Sequence, residues 1–282
     1  MNRTKINYLT HTWNPIAMRC NRVSPACSGC WHLRLANRLA HNPTIKLEER
    51  QAYFGAANPV LRREELDALA RMKKPAVIGV QFMGDLFHEW VNDSQLEQIF
   101  NAMKACPWHT FLLLTKRVDR MAEWYSEFWH FNHGITTNIW PGVTVESNDY
   151  LWRVEKLLKI PASMHWISAE PMLGFVDFSK YRGRRLDRFL VTAGGETGPG
   201  ARPVHPDWVR SLRDQCQAAG VPFFFKQWGE WAQVPIVGGG YLPRAKLGPN
   251  LQSMGDGILM QRVGKKAAGR LLDGRTWDEF PK

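Results

Sequence analysis

The sequence has no apolar run long enough to cross a membrane, and its opening, MNRTKINYLT, contains no secretory core. A protein of the cytoplasm with no membrane partner is expected from this. Acidic residues are scarce beside basic ones, 26 Asp and Glu against 37 Lys and Arg, for a formal net charge of +11. No long Lys/Arg run is present, so the charge is spread and a basic tail is not expected. Low-complexity tracts and strict repeats are also missing. Cysteine is sparse, five in 282 residues, yet three of the five lie between Cys20 and Cys30. In a reducing compartment such clustered thiols favour metal over disulfides. Cys106 and Cys216 fall in apolar-periodic segments and read as buried small side chains.

What is present supports a substantial core: 44% of the residues are hydrophobic and 12% aromatic. The positive excess favours a polyanionic partner through phosphate contacts, or else serves as a generally basic surface. Short β-branched or aromatic runs alternate with amphipathic stretches. Strands are expected at 7–12, 76–82, 110–114, 140–145, 164–168, 188–192 and 222–225. Helices are expected at 30–39, 64–73, 94–105, 118–127, 147–158 and 206–219. The stretch 225–282 is rich in Gly and Pro and reads as irregular until a final short segment. Strands alternating with helices argue an α/β fold with a parallel sheet. Runs such as VIGVQF and FLLL suit strands buried on both faces. A full or partial barrel is favoured over a doubly wound sheet, and in both the chemistry collects at the carboxyl ends of the strands.

Applied here, that rule selects a rim. Gly84, Asp85 and His88 follow one expected strand. Thr115, Lys116 and Arg117 follow the next, and then come Glu146, Ser147 and Asn148. Glu170 and Pro171, Glu196, and Lys226, Gln227 and Trp228 close the later ones. Each carboxylate has helix capping as its alternative role, and Ser147 and Asn148 look like caps. Lys116–Arg117, Arg182–Arg185 and Arg202 add positive charge near rim loops. Trp90, Trp228 and Trp231 have the chemistry to stack a base, with core packing as the alternative. GGETGPGARP has the glycines of an anion cradle but lacks the P-loop Lys-Ser/Thr ending, which leaves a tight loop near cofactor or substrate.

Cys20, Cys27 and Cys30 are spaced C-x6-C-x2-C between the first expected strand and a helix. Three thiolates suffice for three corners of a four-iron cluster and leave one iron open. Zinc is the rival, with His32 as the fourth ligand of a Cys3His site. Three unligated thiols are the remaining alternative.

THTWNP, SPACSGC, GDLFH, LTKR, GVTVES, SAEPMLG, GGETGPGARP, FFFKQWGEW and GRLLDGRTWDEFP occur in this order along nearly the whole chain. Together they resemble the phage-encoded three-cysteine-motif proteins, which are radical-SAM-like. The resemblance implies a partial (β/α)6-type barrel of the radical SAM kind over residues 1–231, with a Gly/Pro-rich extension over 232–282 packed on it. It implies a [4Fe-4S] cluster on Cys20, Cys27 and Cys30, with S-adenosyl-L-methionine at the open iron. By strand order, Gly84, Asp85, Thr115, Lys116, Glu146, Ser168 and Glu170 fall to that cofactor. Glu196, Arg202, Lys226, Gln227 and Trp228 fall to the substrate. The usual radical SAM spacing is C-x3-C-x2-C, and Arg19, Ala26 and Trp31 stand where Gly, Gly and Tyr are usual. A modified base in phage DNA is the implied substrate, with rearrangement of a side chain on a thymidine-type nucleotide as the specific reaction. The partners implied are DNA, flipped out of its duplex, and a reducing donor such as flavodoxin, in a host cytoplasm. A zinc-stabilised nucleic-acid-binding protein without catalysis, and a radical enzyme acting on a free nucleotide or small metabolite, are the alternatives.

Overall fold

In the computed structural model of the protein, residues 1–129, 134–181, 188–234 and 250–281 are described. The fold is mixed α/β with parallel sheets. The chain divides into two compact units, Met1–Thr144 with Trp152–Ile167, and Val145–Leu151 with Ser168–Lys282. Among the described residues no helix is long and apolar enough to cross a membrane.

The first unit is built on β1 (Asn2–Arg3), β2 (His11–Trp13), β3 (Ile16–Ala17), β4 (Val60–Leu61), β5 (Val77–Val80), β6 (Thr110–Leu113), β7 (Ile139–Trp140) and β8 (Gly142–Thr144). Its main sheet has the order β1-β2-β5-β6-β7. β1 runs antiparallel to β2, and β2, β5, β6 and β7 run parallel. A parallel bridge between Thr115 and Val143 links the end of β6 to β8. Both faces of the sheet are covered, so Trp13, Ile78, Val80, Phe111, Leu112 and Leu113 are all buried. The helices are α1 (Trp31–Ala40), α2 (Leu47–Phe54), α3 (Arg63–Arg71), α4 (Asp93–Lys104), α5 (Val118–Glu123) and α6 (Trp152–Leu157).

Helix α4 shows how the sequence places these elements. Asn92 and Gln95 form a capping box at its start. Leu96, Ile99, Phe100 and Met103 then recur at helical spacing, and all four are buried. The Phe100 ring meets Phe87, Trp124 and Tyr125 at 6.3, 5.7 and 5.6 Å.

Three local expectations are corrected. The strand expected from residue 7 begins only at His11, because the Leu9 amide turns back onto the Ile6 carbonyl at 3.0 Å. The helix expected over 118–127 is α-helical to Glu123 and then widens into a π-helical turn, Trp124–Trp129. The helix expected over 147–158 is divided into a 3-10 turn, Asn148–Tyr150, and α6. Ser147 makes no capping bond there, and the Asn148 side chain instead accepts from the Asp177 amide at 2.8 Å.

In the second unit β10 (Phe189–Gly194) and β11 (Phe223–Gln227) pair in parallel, and β9 spans His165–Ala169. β10 and β11 are in register from Val191 opposite Phe223, with a shift after Ala193. Helix α7 (Pro206–Ala218) opens on a His205 side-chain cap with Pro206 in its first turn. It buries Val209, Leu212 and Cys216.

The stretch after Phe225 is not irregular. β12 (Trp231–Gln233), β13 (Leu251–Gly255) and β14 (Ile258–Arg262) form an antiparallel sheet in the order β12-β14-β13. A short helix, α8 (Lys265–Ala268), follows. The closing segment returns to β11, where the Phe225 amide donates to the Trp277 carbonyl at 2.9 Å.

Two glycines let main chains cross in the second unit. A Cβ on Gly195 would stand 1.9 Å from the Trp228 carbonyl oxygen, and one on Gly229 2.1 Å from that of Glu196. The GGE and WGE segments therefore touch backbone to backbone, and Gly229 also needs its φ of 86°. Gly195→Ala is expected to lower stability by about 1–3 kcal/mol through overpacking. Urea unfolding checks this, and an unchanged midpoint would contradict the crossing.

Candidate functional site

The cysteine loop is shaped by its own main chain. Pro25–Cys27 form a 3-10 turn, with the Cys27 amide donating to Ser24 at 2.9 Å and the Ser28 amide to Pro25 at 3.2 Å. The Cys30 amide bonds the Cys27 carbonyl at 3.3 Å, and Cys30 then stands as the N-cap of α1. Cys20, Cys27 and Cys30 are free thiols, each partly exposed. Cys106 and Cys216 are buried, as their periodic settings indicate.

The segment leading into this loop is clamped to the end of β5. Gln81 holds a left-handed backbone, φ 52°, that is uncommon outside glycine. Its side chain accepts from the Ile16 amide at 3.0 Å and donates to the carbonyls of Ile16 and Met83, at 2.9 and 2.7 Å. Asn14 accepts from the Met83 amide at 2.8 Å. Gly84 adopts φ 126°, and a Cβ there would meet Met18 at 2.8 Å. Gly84 thus lets the end of β5 approach the chain two residues before Cys20.

Asp85 is buried and its carboxylate is filled from within the chain. Oδ1 accepts from the Phe87 amide at 3.0 Å and the Thr115 hydroxyl at 2.7 Å. Oδ2 accepts from the Lys116 amide at 3.3 Å and from Arg117 Nη1 at 3.0 Å. A carboxylate offers about four acceptor sites, so these donors saturate it. Thr115 is engaged as well, because its hydroxyl also accepts the Arg117 amide at 2.8 Å. Arg117 reaches the loop itself: Nη1 lies 3.7 Å from Cys20 Sγ, Nε 3.2 Å from Glu89, and Nη2 donates to Asn21. Asn21 in turn donates to Glu89 at 2.9 Å. The ends of β5 and β6 therefore meet the cysteine loop at Cys20.

The thiols differ electrostatically. Burial, reinforced by the charge of Asp85, pushes the Cys20 pKa up to about 12 against the pull of Arg117. Cys27 goes the other way: burial opposes its thiolate, but bonds from the Val23 and Ser24 main chain, the Ser24 hydroxyl and the charge of Lys116 outweigh it. Arg117 is held above its ordinary value by Asp85 and Cys20, although burial works against its charge.

His32 is buried, neither ring nitrogen is hydrogen-bonded among the described residues, and burial, with Arg19 nearby, brings its pKa down to about 4. Among the described residues no group of three or more His, Cys, Asp or Glu side chains gathers to hold a metal ion, so the Cys3His zinc arrangement is not assembled. A single ion needs every donor at about 2.0–2.3 Å. A cluster takes its thiolates on separate irons, and three accessible thiols on one loop fit that donor set. His88, at the end of GDLFH, is buried. Its Nδ1 accepts the Trp90 amide at 3.2 Å, and among the described residues Nε2 has no hydrogen-bond partner.

The remaining expected residues, Trp90 excepted, lie in the second unit. Glu146 and Ser168 are buried, and the Glu146 carbonyl accepts the amides of Leu173 at 2.8 Å and Gly174 at 3.2 Å. Glu170 pairs with Lys226 at 2.5 Å. Glu196 takes the Arg202 amide, Nε and Nη2 at 2.9, 2.8 and 2.7 Å. The GGETGPGARP loop is further tied by Glu230 to the Gly198 amide at 2.9 Å and by Arg262 to its carbonyl at 2.9 Å. Gln227 is buried, and its carbonyl accepts the Gly195 amide at 2.9 Å. Trp228 donates to the Leu271 carbonyl at 2.8 Å and packs against Phe225. Trp231 is buried and bonds Ala201, so it belongs to the core and is not a stacking platform. Trp90 is exposed. Arg182–Arg185 lie outside the described residues.

Burial works against the Glu196 carboxylate, yet the bonds from Arg202 hold its pKa below the ordinary 4.5. A folded-state value below the unfolded one stabilises above about pH 4.5 and is lost as pH falls through the folded value. Glu196→Gln is therefore expected to be less stable than the parent at neutral pH, with the gap in urea midpoint narrowing in acid. A gap that stays constant would contradict the pairing.

No curated protein and no solved structure matches the chain. The family model DUF5131, described as a protein of unknown function, matches residues 3–281, and the chain belongs to that family.

Proposed function

We propose that the protein is a radical S-adenosylmethionine enzyme whose [4Fe-4S] cluster is held by Cys20, Cys27 and Cys30. The observation that carries this reading is the meeting of the cysteine loop with the carboxyl ends of β5 and β6, through Arg117, Asp85 and Thr115. Carboxyl ends of parallel strands are where α/β folds place their chemistry. Three free thiols on one loop leave one iron for a chelating small molecule. The parallel order β2-β5-β6-β7 and the Thr115–Val143 bridge support a partial (β/α)6-type barrel.

Cys20, Cys27 and Cys30 would hold the cluster, which would supply the electron for reductive cleavage of bound S-adenosylmethionine and so radical chemistry toward the substrate. The chain's part is to hold and orient. Asp85 fixes the Thr115–Arg117 turn, Arg117 braces Cys20, and the charge of Lys116 favours the Cys27 thiolate. With Asp85 and Thr115 engaged inside the chain, their role toward the cofactor is to shape the rim. Lys116 is partly exposed at the same turn.

A base in DNA, with rearrangement of a thymidine-type side chain, is the substrate we favour. The net charge of +11 suits a phosphate backbone, and exposed Trp90 suits a stacked base. A reducing electron donor such as flavodoxin would serve as reductant.

Anaerobically reconstituted protein with dithionite should convert S-adenosylmethionine to 5′-deoxyadenosine, and Cys27→Ala should lose that activity. Equal turnover by the variant would contradict the ligand assignment. Nucleoside mass analysis of treated DNA reads the substrate, and DNA left unchanged would favour a free nucleotide.

A further inference from the structure

We infer that Arg117 is a positioning residue for the cluster, setting how readily it accepts an electron through the Cys20 sulfur. This rests on the cluster reading given above and goes beyond it by assigning a residue that is not a ligand.

The Arg117 side chain is 12% exposed and its guanidinium is held on several sides. Nη1 is shared between Asp85 at 3.0 Å and Cys20 Sγ at 3.7 Å. Nε bonds Glu89 at 3.2 Å, and Nη2 bonds Asn21, the residue after Cys20. A guanidinium does not lose its proton in a protein, so this is a fixed positive charge against one ligand sulfur. Cluster potentials respond to net charge and to hydrogen bonds on the sulfurs. Groups beyond the ligands tune a metal site through such contacts.

The sign follows from the neighbours. Uptake of one electron adds one negative charge to the cluster, and the adjacent guanidinium favours that state. Without it, Asp85 and Glu89 would stand behind Cys20 uncompensated, and the potential would fall. Glu89 is 53% exposed and draws on the same guanidinium through Nε. Its neutralisation should move the potential the opposite way, by less, because solvent already screens it.

The experiment is a mediated redox titration of reconstituted protein at fixed pH, read by the electron paramagnetic resonance of the reduced cluster and by iron content. Arg117→Met should give a more negative midpoint than the parent, Arg117→Lys a smaller shift in the same direction, and Glu89→Gln a small positive shift. Unshifted midpoints in iron-loaded Arg117→Met and Glu89→Gln would overturn the inference while leaving the cluster standing. If Arg117→Met fails to fold or to take iron, Arg117→Lys and Glu89→Gln decide: opposite shifts support the assignment, and none overturns it. A parent protein that takes no iron would contradict the cluster itself and the inference with it.

Discussion

The buried Asp85 carboxylate is the interaction on which the candidate site depends. It gathers the Phe87 and Lys116 amides, the Thr115 hydroxyl and the Arg117 guanidinium, and so joins the end of β5 to the end of β6. A buried carboxylate is tolerable only when paired and hydrogen-bonded, and here all its acceptor sites are met. Arg117 is aimed at Cys20 because Asp85 and Glu89 hold it there. The three-cysteine loop thus receives its setting from residues more than sixty positions downstream.

Much of the fold is legible in the sequence because burial on both faces of a parallel strand leaves a continuous apolar run. VIGV and TFLL became β5 and β6 with ends close to those expected. Helix α4 is legible from its spacing and its cap. The antiparallel sheet after Phe225 was hidden by its glycines, although some of those glycines are hairpin signals. Asp256 and Gly257 both take positive φ between β13 and β14, and Asp273 and Gly274 do the same between Leu272 and Arg275. Asp-Gly is a favoured pair for such two-residue turns.

The site is legible to a different degree. Local structure reads well: Cys30 caps the helix expected to begin there, and Cys106 and Cys216 are buried. Long-range pairing does not. Nothing in the spacing announces that Arg117 reaches Cys20, 97 residues away, or that Gln81 clamps Ile16. Strand ends mark Asp85 and Thr115 separately, and nothing in the sequence says that they bond each other. In the second unit, likewise, nothing in the sequence marks Glu196 and Arg202 as a pair. A polar residue at a strand end carries no mark of whether its partner is a ligand or another side chain.

The central claim is that Cys20, Cys27 and Cys30 carry an iron–sulfur cluster with an open iron. Metal and sulfide analysis of anaerobically purified protein, with Mössbauer spectra of iron-57-reconstituted samples, tests it most directly. About four irons and four sulfides per chain are expected, with one iron spectroscopically distinct and perturbed by S-adenosylmethionine. A colourless protein with one zinc per chain would contradict it.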